Sequence, residues 1–106
     1  MADAESLLAG MRTRAGALRR LGYRVRFDLT DLEESILLDA SDGGAPSIEP
    51  ATGEEEADTV LRLSAGDLEK LMRGKLSPML AFSTGKLRVE GSKGVAMKLA
   101  SLLDED

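Results

Sequence analysis

The 106-residue sequence predicts an α+β fold, an antiparallel sheet with helices on one face. Three observations carry that class. Apolar and polar residues alternate within 24–29, 36–40, 59–63 and 87–90, the period of half-buried strands. Apolar residues recur at three- and four-residue spacing within 4–18, 68–72 and 95–103, the period of amphipathic helices. The early connections are short, which favours an antiparallel meander with one face covered and the other partly wet. The chain reads as one domain over 1–106, long enough to bury roughly two-thirds of its unfolded surface.

In order along the chain, Ala4, Leu7, Leu8, Met11, Ala15 and Leu18 form one stripe, so a single helix is expected over about 3–21, with Gly22 as its stop. Asp3 and Glu5 at its start and Arg19 and Arg20 at its end suit the helix dipole. Val25, Phe27 and Leu29 alternate with Arg24, Arg26 and Asp28 as the first strand. Ile36, Leu38 and Ala40 make the second, before the turn signal Asp42-Gly43-Gly44. Residues 45–50 suit only an edge strand, because Pro46 and Pro50 lack amide donors. Glu54, Glu55 and Glu56 read as a solvated turn. Thr59, Leu61 and Leu63 face one way and Val60 and Arg62 the other, giving the next strand.

Ser64-Ala-Gly-Asp67 is a capping pattern that opens a helix over about 65–73. Gly74 can end it, and Ser77-Pro78 starts another with a hydroxyl cap and proline in the first turn. That helix is brief, holding Met79, Leu80, Ala81 and Phe82 before Gly85. Leu87 to Glu90 then alternate as a strand, and Ser92 caps a last helix striped by Val95, Leu99, Leu102 and Leu103. The stretch 74–91 has the character of a lid or wall over an apolar space.

Absent residue types exclude much chemistry. Without cysteine there is no disulfide, thiolate nucleophile or thiolate metal site, and without histidine the usual general base and commonest metal ligand are gone. No run approaches the length of a membrane span, and the acidic N-terminus is unlike a secretory signal, so a cytoplasmic location is expected. The net charge of -5 argues against nucleic acid as a partner.

Charge is uneven, however. Six arginines, Arg12, Arg14, Arg19, Arg20, Arg24 and Arg26, occur with no acid among them, and 28–58 holds eleven acids and no base. This is either a helix end beside an acid-decorated sheet or a basic patch for transient contact with anionic membrane lipids or with an acidic partner surface.

Candidate motifs fail on their own chemistry. Gly85-Lys86 resembles the end of a phosphate-binding loop, but Leu80 occupies its first glycine position and Leu87 its magnesium-holding hydroxyl position. Asp39 to Gly44 resembles a calcium loop, but Gly43 and Pro50 replace two ligands. Ser64 and Ser92 are helix caps without a base. No catalytic residue, metal or cofactor is assigned. Methionines, leucines and phenylalanines are the remaining material, fit for a core or for a pocket.

The order of the fragments adds a resemblance. Phe27-Asp28-Leu29-Thr30-Asp31 leads to a strand, Ala57-Asp58 opens another, and Leu63-Ser-Ala-Gly-Asp-Leu68 opens a helix. Gly74-Lys-Leu-Ser-Pro78, Ala81-Phe82, Gly85-Lys-Leu-Arg-Val-Glu-Gly91 and Ala96-Met-Lys-Leu99 follow. Over about 23–103, and most strongly from Ala57, this resembles the type-two sterol carrier protein family, the non-specific lipid-transfer domain, as a bacterial-type single-domain member.

The resemblance implies a five-stranded, largely antiparallel sheet covered on one face by helices, with an apolar tunnel between the layers. It also implies binding and transfer of fatty acids, fatty acyl-CoA, phospholipids or sterols without catalysis or cofactor. The chain departs from the family's pattern in reading as one N-terminal helix where two are expected. It also lacks a peroxisomal C-terminus.

On that footing, alternation turns Phe27, Leu29, Ile36, Leu38, Leu61 and Leu63 from the sheet towards the helices. Leu71, Met72, Met79, Phe82, Val95, Leu99 and Leu102 are expected to close the ligand site from the other side. The expected partners are a lipid or other hydrophobic small molecule, a membrane in transit, and a lipid-metabolising enzyme. Two alternatives remain open: an accessory module that presents lipid substrate to a partner enzyme, and a ligand-free structural homodimer with a solid core.

Overall fold

The computed structural model describes residues 3–103, the side chain of Leu103 excepted, so the last member of the predicted C-terminal stripe lies outside the described side chains. The N-terminal stripe folds as two helices rather than one, α1 (Ala4–Arg12) and α2 (Ala15–Leu18). Asp3 caps α1, its carboxylate accepting the Ser6 amide at 2.7 Å. The break follows from competition for the Gly10 carbonyl. It accepts the Thr13 hydroxyl at 2.7 Å and the Arg14 guanidinium at 2.9 Å, while the Arg14 amide turns to Met11. A side-chain hydroxyl and a cation thus take the place of the helical amide.

The sheet comprises β1 (Arg24–Leu29), β2 (Glu34–Asp39), β3 (Ser47–Ala51), β4 (Thr59–Leu63) and β5 (Arg88–Gly91), in the order β3-β2-β1-β4-β5. The first three strands form the expected meander, with the proline-bearing β3 at the edge. β4 runs parallel to β1, setting Leu61 beside Phe27, and every other pairing is antiparallel. Asp58 fixes that parallel start. Its amide donates to the Arg24 carbonyl and its carboxylate accepts the Arg24 amide, both at 2.9 Å.

α3 (Ala65–Met72), α4 (Pro78–Ser83) and α5 (Lys93–Leu103) complete the chain. Ser64 caps α3 and Ser92 caps α5 through their hydroxyls. Helices cover one sheet face, burying Val25, Phe27, Leu29, Ile36, Leu38, Leu61 and Leu63 in a single core with Leu7, Met11, Leu18, Leu68 and Leu99. The other face is polar. Arg26 clasps Asp28 through two hydrogen bonds of 2.9 and 3.1 Å, Ser35 donates to the same carboxylate, and Arg62 bridges Asp28 and Glu90. No helix among the described residues is long and apolar enough to cross a membrane.

Candidate functional site: an apolar groove beside a short helix

Gly74, at φ +70, ends α3 in the left-handed conformation. The chain then buries Leu76 before Ser77 caps α4 with proline at its first turn. α4 is anchored through Ala81, whose side chain is fully buried and whose carbonyl accepts the amides of Lys86 at 2.9 Å and Leu87 at 3.0 Å. The rest of its apolar content faces outward, with Met79 67%, Leu80 55% and Phe82 41% exposed. A helix that buries one alanine and exposes three large apolar side chains presents an apolar patch on the surface.

Two adjoining hollows lie beneath and beside it. The larger, about 470 Å³, is lined by Leu71 of α3, by Gly74, Lys75, Leu76 and Ser77 of the α3–α4 connection, by Pro78 and Met79 of α4, and by Met97, Ala100 and Ser101 of α5. The smaller, about 180 Å³, is lined by Met79, Phe82, Val89, Lys93 and Met97. Met79 and Met97 belong to both, so two flexible thioethers form the divider between them. Among the described residues no acid lines either hollow. The cations are Lys75 and Lys93, the latter with Nζ 5.4 Å from the centre of the Phe82 ring. The site can desolvate hydrocarbon and offer positive charge at its margin.

The predicted site residues divide between this groove and the core. Leu71, Met79 and Phe82 line the groove. Met72 lines a separate hollow of about 250 Å³ with Ser6, Leu7, Gly10, Arg14, Glu69 and Arg73. Phe27, Leu29, Ile36, Leu38, Leu61, Leu63, Val95, Leu99 and Leu102 are buried in the packed core behind the groove.

Sequence reasoning missed Lys75, Leu76, Val89, Lys93 and Ala100 as lining residues, and left Met97 among the methionines fit for a core or a pocket. For α5 the signal was present: Lys93, Met97, Ala100 and Ser101 follow helical spacing on the face opposite Val95, Leu99 and Leu102.

Four of the six arginines of the run have partners within the fold. Arg12 donates to the Ile48 carbonyl and pairs with Glu49, and Arg14 donates to the carbonyls of Gly10 and Met72. Arg24 pairs with Asp39, and Arg26 with Asp28. Burial pushes the Asp28 carboxyl up, but hydrogen bonds from Arg26 and Ser35 and the charge of Arg62 outweigh it, leaving it below the ordinary aspartate value. Glu55, in the predicted acidic turn, accepts the amides of Thr52, Gly53 and Glu54. The Thr52 amide leads in lowering its carboxyl to about 2. These acids serve the fold.

A family model described as the SCP-2 sterol transfer family matches residues 4–104. Hydroxysteroid dehydrogenase-like protein 2 of Xenopus tropicalis is 41% identical over 63 residues, 59% of this chain and 14% of that protein. Sterol carrier protein 2 of Bos taurus is 41% identical over 59 residues, 56% of this chain and 11% of that protein. This chain therefore spans a small part of these relatives. The apo structure of sterol carrier protein 2 from Yarrowia lipolytica superposes with a TM-score of 0.68 at 25% identity, covering 85% of this chain and 73% of that one.

Proposed function

The chain belongs to the SCP-2 sterol transfer family, and we propose that it binds and transfers a hydrophobic ligand (fatty acid, fatty acyl-CoA, phospholipid or sterol-like) without catalysing a reaction on it. The observation that carries this reading is the groove divided by Met79 and Met97, with hollows of about 470 and 180 Å³. Ligand sites run from about 300 to 1,000 Å³ and are mostly apolar with a few placed polar groups. Each methylene moved out of water contributes about 0.8 kcal/mol. Such binding is broad, since it asks for hydrocarbon rather than a pattern of hydrogen bonds.

In this reading Leu71, Leu76, Met79, Phe82, Val89, Met97 and Ala100 touch the ligand. Lys75 and Lys93 sit where a carboxylate or phosphate head would meet water. The core side chains Phe27, Leu29, Ile36, Leu38, Leu61, Leu63, Val95, Leu99 and Leu102 form the floor behind them.

The test is native mass spectrometry of protein purified without detergent, joined to thermal melts with fatty acid, acyl-CoA and sterol. A genuine ligand at a hundredfold excess over its Kd stabilises by about 2.7 kcal/mol. Met97→Asp, which sets a charge on the divider, is expected to abolish that shift. No co-purified lipid and no shift with any of the three ligands would end the carrier reading.

The short share of dehydrogenase-like relatives that the chain matches favours a second reading, an accessory domain that hands lipid to an enzyme. A dehydrogenase co-eluting at equal stoichiometry supports that reading. Unaided transfer of ligand between vesicles supports the first.

A further inference from the structure

Peroxide attacks protein sulfur, and here methionine is its only source. The chain has five methionines and no cysteine. The four described methionines differ in access. Met11 is sealed in the core, Met72 is buried at 7% exposure, and Met97 is half-buried. Met79 stands 67% exposed on the outer face of α4, so an oxidant in water meets it first.

Placement matters as much as access. Met79 lines both hollows and, with Met97, forms the divider between them. A sulfoxide oxygen needs a hydrogen-bond donor. Among the described residues lining the smaller hollow, only Lys93 carries a side-chain donor. Turned inward, the oxygen faces hydrocarbon without a partner. Turned outward to Lys93 or to water, the side chain leaves the divider and takes its apolar surface with it.

We infer that Met79 is a peroxide-modification site that controls the groove, its sulfoxide expelling a hydrocarbon ligand. In the step, a sulfur lone pair attacks one oxygen of hydrogen peroxide. The S–O bond forms as the O–O bond breaks, and the proton of the attacked oxygen departs with the released hydroxide as water. Sulfur is oxidised by two electrons and the peroxide is reduced by two. Methionine sulfoxide reductases reverse the change. A dithiol then becomes a disulfide, and the oxygen leaves as water. This control presupposes the carrier reading above and adds a release step to it.

The experiment treats the full chain with limiting hydrogen peroxide and maps the products by peptide mass spectrometry. Met79 is expected to oxidise about tenfold faster than Met11 or Met72, with Met97 between them. Bound fatty acid is expected to slow oxidation at Met79. Uptake of a fluorescent polyene fatty acid is measured before treatment, after it, and after repair by a methionine sulfoxide reductase. Oxidation at Met79 is expected to weaken uptake about tenfold, and repair is expected to restore it. Met79→Leu keeps an apolar side chain that peroxide leaves alone. Its affinity, read against its own untreated level, is expected to hold through treatment. The variant retains Met1, so it also sets aside oxidation there. Met97→Leu is expected to lose affinity on treatment as the wild type does. Circular dichroism is expected to stay unchanged, because Met79 lies outside the core.

Met11, Met72 or Met97 oxidising ahead of Met79 would overturn the assignment of the site. Unaltered affinity at full Met79 oxidation, or an equal loss in Met79→Leu, would overturn its control of the groove. Loss of the fold at that stage, or oxidation that bound fatty acid leaves unslowed, would do the same. If the untreated chain takes up no probe, the carrier reading falls and the release step falls with it. The peptide map then still decides where peroxide acts.

Discussion

Gly91→Ala tests how closely the wall of the groove is built. Gly91 pairs with Thr59 at the end of β5, directly before the cap of α5, and its φ is +96. A Cβ there would stand 2.7 Å from the Asp58 carbonyl oxygen and 3.2 Å from the Thr59 Cα. Left-handed backbone costs a non-glycine residue about 1–2 kcal/mol. A contact of 2.7 Å must also open, which adds an overpacking cost of about 1–3 kcal/mol. Opening it strains the hydrogen bond from the Ser92 amide to the Asp58 carbonyl, worth about 1 kcal/mol. The expected loss is thus about 3–6 kcal/mol, a large share of the about 5–15 kcal/mol that holds a typical domain.

Gly85→Ala is the matched comparison. Its φ of +80 imposes the same backbone cost, but nothing lies within 4 Å of the added Cβ. Equilibrium urea denaturation followed by circular dichroism measures both. Gly91→Ala is expected to lose about 2–4 kcal/mol more than Gly85→Ala at equal m-value. It also shifts the strand–helix elbow that carries Val89, Lys93 and Met97, and in the proposed carrier reading ligand affinity is expected to fall with it. Equal losses in the two variants would refute the close approach of β5 to the start of β4.

Three further outcomes follow from the same geometry. Arg14→Ala removes the guanidinium that joins the α1–α2 break to the Met72 carbonyl, and urea titration is expected to show a loss of about 2 kcal/mol; Arg14→Lys, which lacks the planar fork, should not restore it. Acid stability is expected to depend on Glu55. Its carboxyl lies at about 2 in the folded chain against an ordinary 4.5, so its contribution is present above 4.5 and drains away as pH falls towards 2. Glu55→Gln is therefore expected to narrow its stability gap from the wild type across that window, and a constant gap would remove the assignment. Asp28→Asn follows the same sign, since the folded carboxyl lies below 3.8: its penalty is present above that value and fades in stronger acid.

The sheet and most helices were legible because burial imposes a period. Val25, Phe27 and Leu29 alternate since one face meets the core and the other meets Arg62 and Ser35, and period two records that directly. The N-terminal break was not legible for the opposite reason. Leu7, Met11 and Leu18 keep helical spacing across it because all three face the same core, while the break is made by a hydroxyl and a guanidinium competing for one carbonyl. Apolar periodicity is blind to that competition. The parallel β1–β4 pair was likewise hidden, since the Asp58 clamp on Arg24 joins residues 34 apart in the chain.

The groove shows a different limit. Alternation identifies which side chains leave water, and it assigned Phe27, Ile36, Leu61 and Leu99 correctly to the interior side of the sheet and helices. It cannot tell a side chain that packs on its own protein from one reserved for a guest, because both are apolar and both recur at the same spacing. Exposure separates the two once the chain is folded. Met79 and Phe82 satisfy the helical pattern and yet remain outside the core, and Met97 lies on the second face of a helix whose first face is fully packed. In the proposed carrier reading, adaptable thioethers at the divider and lysines at the margin line a site whose occupant comes and goes. The chemistry of the site therefore rests on the apolar residues that the fold declines to bury.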